Sequence, residues 1–366
     1  MNSQTIFPLS VKQSYSPNDV VDFLISYEDK EIVQNSIRIT GKVRVAADLT
    51  AAARITVADD VKIDGTIGIH GAFQSITSSC DNVGILENQN EYPRYVKAKS
   101  AASTTAQMLF TDCQNTTELK AGVDDHTKYI LIGNSTTSQE DAKIPFSFKP
   151  DIALNKTSEN IAFNKCGGVK LSLRLATTSQ FLYGTAASNY NYALYDLRLE
   201  YIAAPMKTTG PLTLETIHMI KTTAESNNTS ISTRVPAIVQ SVSMVFHVED
   251  QLNTAAYNHV ALEVPPAISR CEFSFNDSTT QYYNFALESE EELLYNYQQS
   301  WGNPGGSKSN ITLSRLNANE SYGIGMPFGS YIDMTKGSKF GVNILSNIQS
   351  TLKYGVFLYF RGVIKI

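Results

Sequence analysis

The closing stretch Lys353-Tyr-Gly-Val-Phe-Leu-Tyr-Phe-Arg-Gly-Val-Ile-Lys-Ile366 reads as one long strand, rich in aromatic and β-branched residues and broken only by glycine. A similar stretch, Asn191-Tyr-Ala-Leu-Tyr-Asp-Leu-Arg-Leu-Glu-Tyr-Ile202, stands near the middle of the chain. Each follows an apolar alternating strand, Val169 to Leu175 and Phe340 to Leu345. Before each of those lies an Ile/Met-Pro-Phe segment read as a turn, Ile144-Pro145-Phe146 and Met326-Pro327-Phe328. A chain that closes the same way twice predicts two copies of one β module. Two such modules without a catalytic constellation point to a building block more than to an enzyme.

Working outward, Ile37, Ile39, Val43 and Val45 alternate with Arg38, Thr40, Lys42 and Arg44, which predicts a strand with one buried face and one wet, basic face. Short strands are expected at Ile55–Val57, Val61–Ile63, Ile67–Ile69, Tyr92–Lys97 and Tyr129–Ile132, with a less regular stretch over Ser75–Asn90 that leaves room for a short helix. Ala203 to Pro211, with two prolines and a glycine, breaks both helix and strand and marks the module boundary. Beyond it, Val242, Met244, Phe246 and Val248 alternate with serines and His247, which falls on the polar side. Val260–Val264, Cys271–Phe275 and Tyr282–Leu287 add strands. Ser289-Glu-Glu-Glu292 opens a helix whose inner face is Leu293, Leu294, Tyr297 and Trp301, ended by Gly302. Near the N-terminus, Ser16-Pro17 predicts a helix start, with Val20, Phe23, Leu24 and Tyr27 as one apolar docking stripe.

The fold class that follows is all-β: two tandem eight-stranded antiparallel jelly-roll β-sandwiches with few short helices. The expected division is an arm over 1–30, a first jelly roll over 31–204 and a second over 205–366.

Composition agrees. The chain has 366 residues, enough for two domains, and is 42% hydrophobic, enough to bury a core. Charged residues make up only 18%, and Tyr 19 and Phe 16 stand against a single Trp, a balance suited to sheet. The net charge of −5 and the absence of a basic block argue against direct nucleic-acid binding. Cys80, Cys113, Cys166 and Cys271 lack metal-type spacing and read as buried thiols. Neither a signal peptide nor a membrane-length apolar run is visible, so synthesis in a cytoplasm is expected.

Candidate chemistry is sparse. Gly305-Gly-Ser-Lys-Ser309 has Ser307 where a phosphate loop needs its glycine–lysine step, and follows a helix in place of a strand. Asp59, Asp60, Asp64, Asp124 and Asp125 lack calcium-loop spacing and read as turn residues. The five histidines show no paired spacing. No cofactor is expected. Arg38, Lys42 and Arg44 form a candidate solvated, intersubunit or interior face.

The paired Pro-Phe segments, the strand pairs after them, the tyrosine-rich stretch Tyr190–Tyr201 and the N-terminal arm together resemble the double jelly-roll major capsid proteins of the PRD1–adenovirus lineage. That resemblance implies a viral structural protein located in the virion. Three copies would make a pseudo-hexagonal capsomer, and capsomers an icosahedral shell. Its implied partners are itself, minor capsid or penton proteins, and an internal lipid membrane. The alternative is a vertex, spike or glycan-binding sandwich, in which tyrosines of Ser188–Tyr192 or Gln281–Tyr283 stack on sugars.

Overall fold

The computed structural model describes residues 2–26, 30–51, 55, 59–103, 116–120, 143–207, 210–225, 228–263, 268–275, 283–285, 290–302, 321–346 and 353–366. The described residues of the first half form β1 (Asn2–Ile6), β2 (Val20–Ile25), β3 (Lys30–Ile32), β4 (Arg38–Ala46), β5 (Phe73–Cys80), β6 (Gly84–Gln89), β7 (Ile144–Phe148), β8 (Ile161–Ala162), β9 (Val169–Leu175) and β10 (Asn191–Pro205). The second half forms β11 (Thr213–Ala224), β12 (Asn228–Arg234), β13 (Ile238–Val248), β14 (Ile268–Phe275), β15 (Tyr283–Phe285), β16 (Ile324–Asp333), β17 (Lys339–Ser346) and β18 (Tyr354–Lys365).

Each half is two facing sheets. The second has β16-β13-β18-β11 in one sheet and β12-β17-β14-β15 in the other. The first has β7-β4-β10 flanked by β1 in one sheet, and β6-β5-β9-β2 in the other. Taken in chain order, β1, β2, β4, β5, β6, β7, β9 and β10 therefore match β11 to β18 one for one; β3 and β8 are an addition to the first half. A helix follows the fifth strand of each set: α1 (Tyr92–Ser103) after β6 and α2 (Glu290–Ser300) after β15. A parallel pairing of His218 with Asn88 joins β11 to β6, so one eight-stranded sheet runs through both halves.

The two quoted stretches are β10 and β18, and each is central. β10 pairs antiparallel with β4, and β18 with β13, each ladder interrupted by one register shift. In β10 the shift falls between Tyr195 and Arg198, where Asp196 takes φ 52°, the left-handed conformation a bulge tolerates best in Asp, Asn or Gly. The alternation of Ile37, Ile39 and Val43 is as expected, all three being fully buried. They join one hydrophobic core that also includes Val242, Phe246, Phe340 and Phe360 of the second half. At roughly 1.5–3 kcal/mol per buried large apolar side chain, this core is the main driving force for folding.

Several expectations are overturned. Residues 20–25 form strand β2, with Val21, Phe23 and Ile25 buried and Val20 and Leu24 exposed. The same apolar residues satisfy a period of two, and pairing with β9 supplies the backbone bonds a lone helix would lack. Tyr27 lies outside the described residues. Nor is the first segment a separate arm, since β1 pairs with β10. The expected strand at Tyr92–Lys97 is the start of α1, which buries Tyr92, Tyr95, Ala98 and Ala102 along one side. Pro93 suits a first turn, and the Lys/Ala-rich remainder favours helix. Ser75–Asn90 holds the β5–β6 hairpin, Gly68–Ala72 is a 3-10 turn, and residues 260–263 are not strand. The Pro-Phe segments are not turns but parts of β7 and β16, both at sheet edges, where a proline costs no ladder bond. β10 continues into the proposed boundary as far as Pro205. The expected strand at Tyr129–Ile132 and the Gly305–Ser309 loop lie outside the described residues.

Candidate functional site

The expected basic face does not survive as a unit. Arg44 is 1% exposed, and its guanidinium donates to the carbonyl of Leu49 at 2.6 Å and to that of Ala51. The turn after β4 folds back over that face, so Arg44 caps carbonyls instead of meeting a partner. Arg38 is half-buried and donates from Nε to Ser147 Oγ at 3.0 Å. Lys42 faces solvent beside Asp196 at 3.4 Å. On β2, Phe23 is core, while Val20 and Leu24 stay exposed, as do Leu9, whose N–H donates to the Asp22 carbonyl at 2.8 Å, and Val11.

The concentrated polar chemistry lies where the halves meet, around α1. Arg94 is wholly buried and reaches into the second half, donating to the carbonyl of Ala261 at 3.0 Å and to that of His259. Its guanidinium carbon lies 4.2 Å from the centre of the Phe357 ring of β18. One turn later Lys97 meets Asp64 Oδ2 at 2.5 Å, and that same oxygen accepts from Asn258 Nδ2 at 2.7 Å. On the opposite side of α1, Tyr95 packs against Trp301 and Tyr359 with ring centres 5.7 and 5.8 Å away. The spacing of Arg94 and Lys97 puts both cations on one side of the helix, against the 258–261 segment.

A second group of charges ties the connection 150–158 to β11. The buried Glu87 carboxylate accepts from Ile217 N at 2.7 Å and Ala153 N at 2.8 Å. Lys156 approaches Asp151 at 3.1 Å and Glu87 at 3.7 Å, and Lys99 meets Asp151 at 2.7 Å. Burial pushes the Glu87 carboxyl above its ordinary range, against the pull of Lys156. Burial also opposes ionisation of Asp151 and Asp64, but the adjacent lysines win and hold both below the usual range.

Three histidines are buried nearby: His70, His247 and His259. His247 Nδ1 lies 3.1 Å from the Ala261 carbonyl and 3.4 Å from Glu263, while its Nε2 has no hydrogen-bond partner. Burial, reinforced by Arg94, depresses its pKa to about 2. Burial likewise lowers His259 and His70, although Glu91 and Glu118 pull the other way. His247 is thus interior, not on a wet strand face, because the 259–263 segment covers that side of β13. None of these junction residues was singled out as functional by sequence, apart from Asp64 as a turn residue. The signal present was a charge between aromatic and apolar residues at Arg94; Glu87, followed by Asn88-Gln89-Asn90, carried none. What this arrangement does chemically is tie the two sandwiches together through buried hydrogen bonds and ring contacts. Among the described residues no group of three His, Cys, Asp or Glu is placed to hold a metal ion, and no helix is long and apolar enough to cross a membrane.

No family model matches the chain, and no curated protein matches it in sequence. Its fold, by contrast, has clear counterparts among solved structures. The Faustovirus major capsid protein superposes with a TM-score of 0.66 at 8% identity, over 100% of this chain and 90% of that one. A chain from the Sputnik virophage structure gives 0.60 at 11% identity, over 100% and 85%. The mavirus major capsid protein gives 0.52 at 8% identity, over 100% and 90%. The fold is the double jelly roll of viral major capsid proteins. At such low identity the shared property is the fold alone, over 100% of this chain.

Proposed function

We propose that this chain is a viral major capsid protein that trimerises into pseudo-hexagonal capsomers, which tile an icosahedral shell in the virion. The observation that carries the reading is the same-order repetition of eight strands and a helix in two modules, joined by a buried, hydrogen-bonded junction. Two equivalent modules held rigidly give three copies six similar units, so one chain approximates sixfold packing. The likeness in fold to capsid proteins over the whole chain supports the same reading. Enzymatic turnover has no place in it; the work is burial of complementary surface.

Within this proposal the exposed apolar residues Phe7, Leu9, Val11, Val20 and Leu24, at the edge of the first module, meet a neighbouring copy. Minor capsid or penton proteins and an internal membrane are the other proposed partners. Light scattering and native mass spectrometry of the purified chain test the core claim. The expected species has three times the 40.3 kDa of one chain. A clean monomer at high concentration that binds glycans would overturn it in favour of a spike or glycan-binding sandwich.

A further inference from the structure

Two of the described cysteines meet inside the first module. Cys80 ends β5, and Cys166 ends a one-turn helix over Phe163–Cys166. The two backbones are pinned together by four hydrogen bonds. Asp81 N donates to Gly168 O at 3.0 Å and Asn82 N to Cys166 O at 3.1 Å. Asn82 Nδ2 donates to Lys165 O at 2.8 Å, and Gly168 N to Asp81 Oδ2 at 2.9 Å. Cys80 also stands opposite Val169 in the β5–β9 ladder. Both side chains are buried, 3% and 0% exposed, and the Cys80 thiol lies close enough to act on the Cys166 thiol. Cys271 sits apart, on β14 of the second module.

We propose that Cys80 and Cys166 are a disulfide-forming pair, closed by a small disulfide oxidant once the protein leaves a reducing compartment. The Cys80 thiolate attacks one sulfur of the oxidant RSSR and expels the first RS⁻. The Cys166 thiolate then attacks the Cys80 sulfur of the mixed disulfide and expels the second. The two protein thiols lose two electrons and two protons, which leave as two RSH. Burial pushes the Cys166 thiol up to about 12, so few thiolates exist in the folded chain and closure is slow there. The bond encloses a loop of roughly 90 residues, long enough to raise the thermal midpoint by about 6 °C. That loop contains α1, the element that grips the second module, and the crosslink anchors the end of β5, one strand before it. The chemistry stands whether or not the chain builds a capsid.

The test uses the full chain with oxidised glutathione in two arms: the native protein at mildly alkaline pH, and protein refolded from urea in the same redox buffer. Free thiols are trapped by alkylation and peptides mapped without reduction. The expected result is a Cys80–Cys166 peptide in at least the refolded arm, with Cys271 alkylated. The rise in thermal midpoint should vanish in both Cys80→Ser and Cys166→Ser. Absence of that peptide from both arms, pairing with Cys113 instead, or glutathione retained on Cys80 would each overturn the proposal.

Discussion

Replacing Arg94 by Met should uncouple the two modules while leaving each folded. The side chain makes two charge-assisted hydrogen bonds to carbonyls of the partner module and stacks on Phe357. Gross, those contacts amount to roughly 1.5–3 kcal/mol per bond and about 2 kcal/mol for the desolvated stacking. Burying the guanidinium costs several kcal/mol in return, but truncation does not recover all of it, because the carbonyls of His259 and Ala261 are left dry and unpaired. The expected net loss is about 3–5 kcal/mol. Trp301 is the single tryptophan and packs on Tyr95 of α1, so its fluorescence reports the junction. In urea, Arg94→Met should shift the fluorescence transition to lower concentration and separate it from the circular dichroism transition of the sheets. Arg94→Lys, which keeps the charge but loses the two-pronged geometry, should fall between. Coincident transitions in Arg94→Met, with stability within about 0.5 kcal/mol of the parent, would refute the idea that this residue is the clamp.

Acid should open the same junction. His247 and His259 at the junction, and His70 inside the first module beside Tyr92 and Glu118, are held neutral by burial, with pKa values below the ordinary 6.5. Their stabilising effect is complete above that value and is lost as pH falls, since the opened state binds the protons. The slope is at most about 1.4 kcal/mol per pH unit for each histidine. Glu87 and Glu263, whose pKa values burial raises, work in the opposite sense and offset part of the loss. Thermal midpoints should therefore fall between neutral pH and the mid-fives, and His259→Gln should flatten the profile; an unchanged profile would contradict the assignment. Glu87→Ala should cost about 3 kcal/mol by stranding two buried N–H groups and Lys156, whereas Glu87→Gln, close to the neutral acid, should cost less than half of that. Denaturation curves of the two variants decide. Within the expected basic trio, Arg44→Ala should cost about 2–4 kcal/mol, while Lys42→Ala should stay within about 0.5 kcal/mol; equal effects would restore a shared face.

The twofold ending of the chain was legible because both strands carry their pattern in their own residues: Tyr354–Phe360 is buried on both faces, and Asn191–Pro205 alternates Leu197, Leu199 and Tyr201 with Asp196, Arg198 and Glu200. So too was α2, whose acidic start, tyrosine and tryptophan stripe and terminal Gly302 act within a few residues of one another. Less legible was β2, because Val20 to Ile25 satisfies both the helical and the strand period, and only β9 lying alongside it decides between them. The same holds for α1, where Tyr95 and Val96 favour strand by type while the Tyr92–Tyr95 spacing of three suits the helix that forms. The junction was hidden for a stronger reason. Arg94 contacts carbonyls of His259 and Ala261, and Glu87 caps the nitrogen of Ile217, across separations that no local pattern encodes. Sequence alone determined that there are two β modules, because hydrophobic periodicity is local. Only the tertiary structure decided which charges are buried between them, because desolvation and pairing depend on what the rest of the chain brings near.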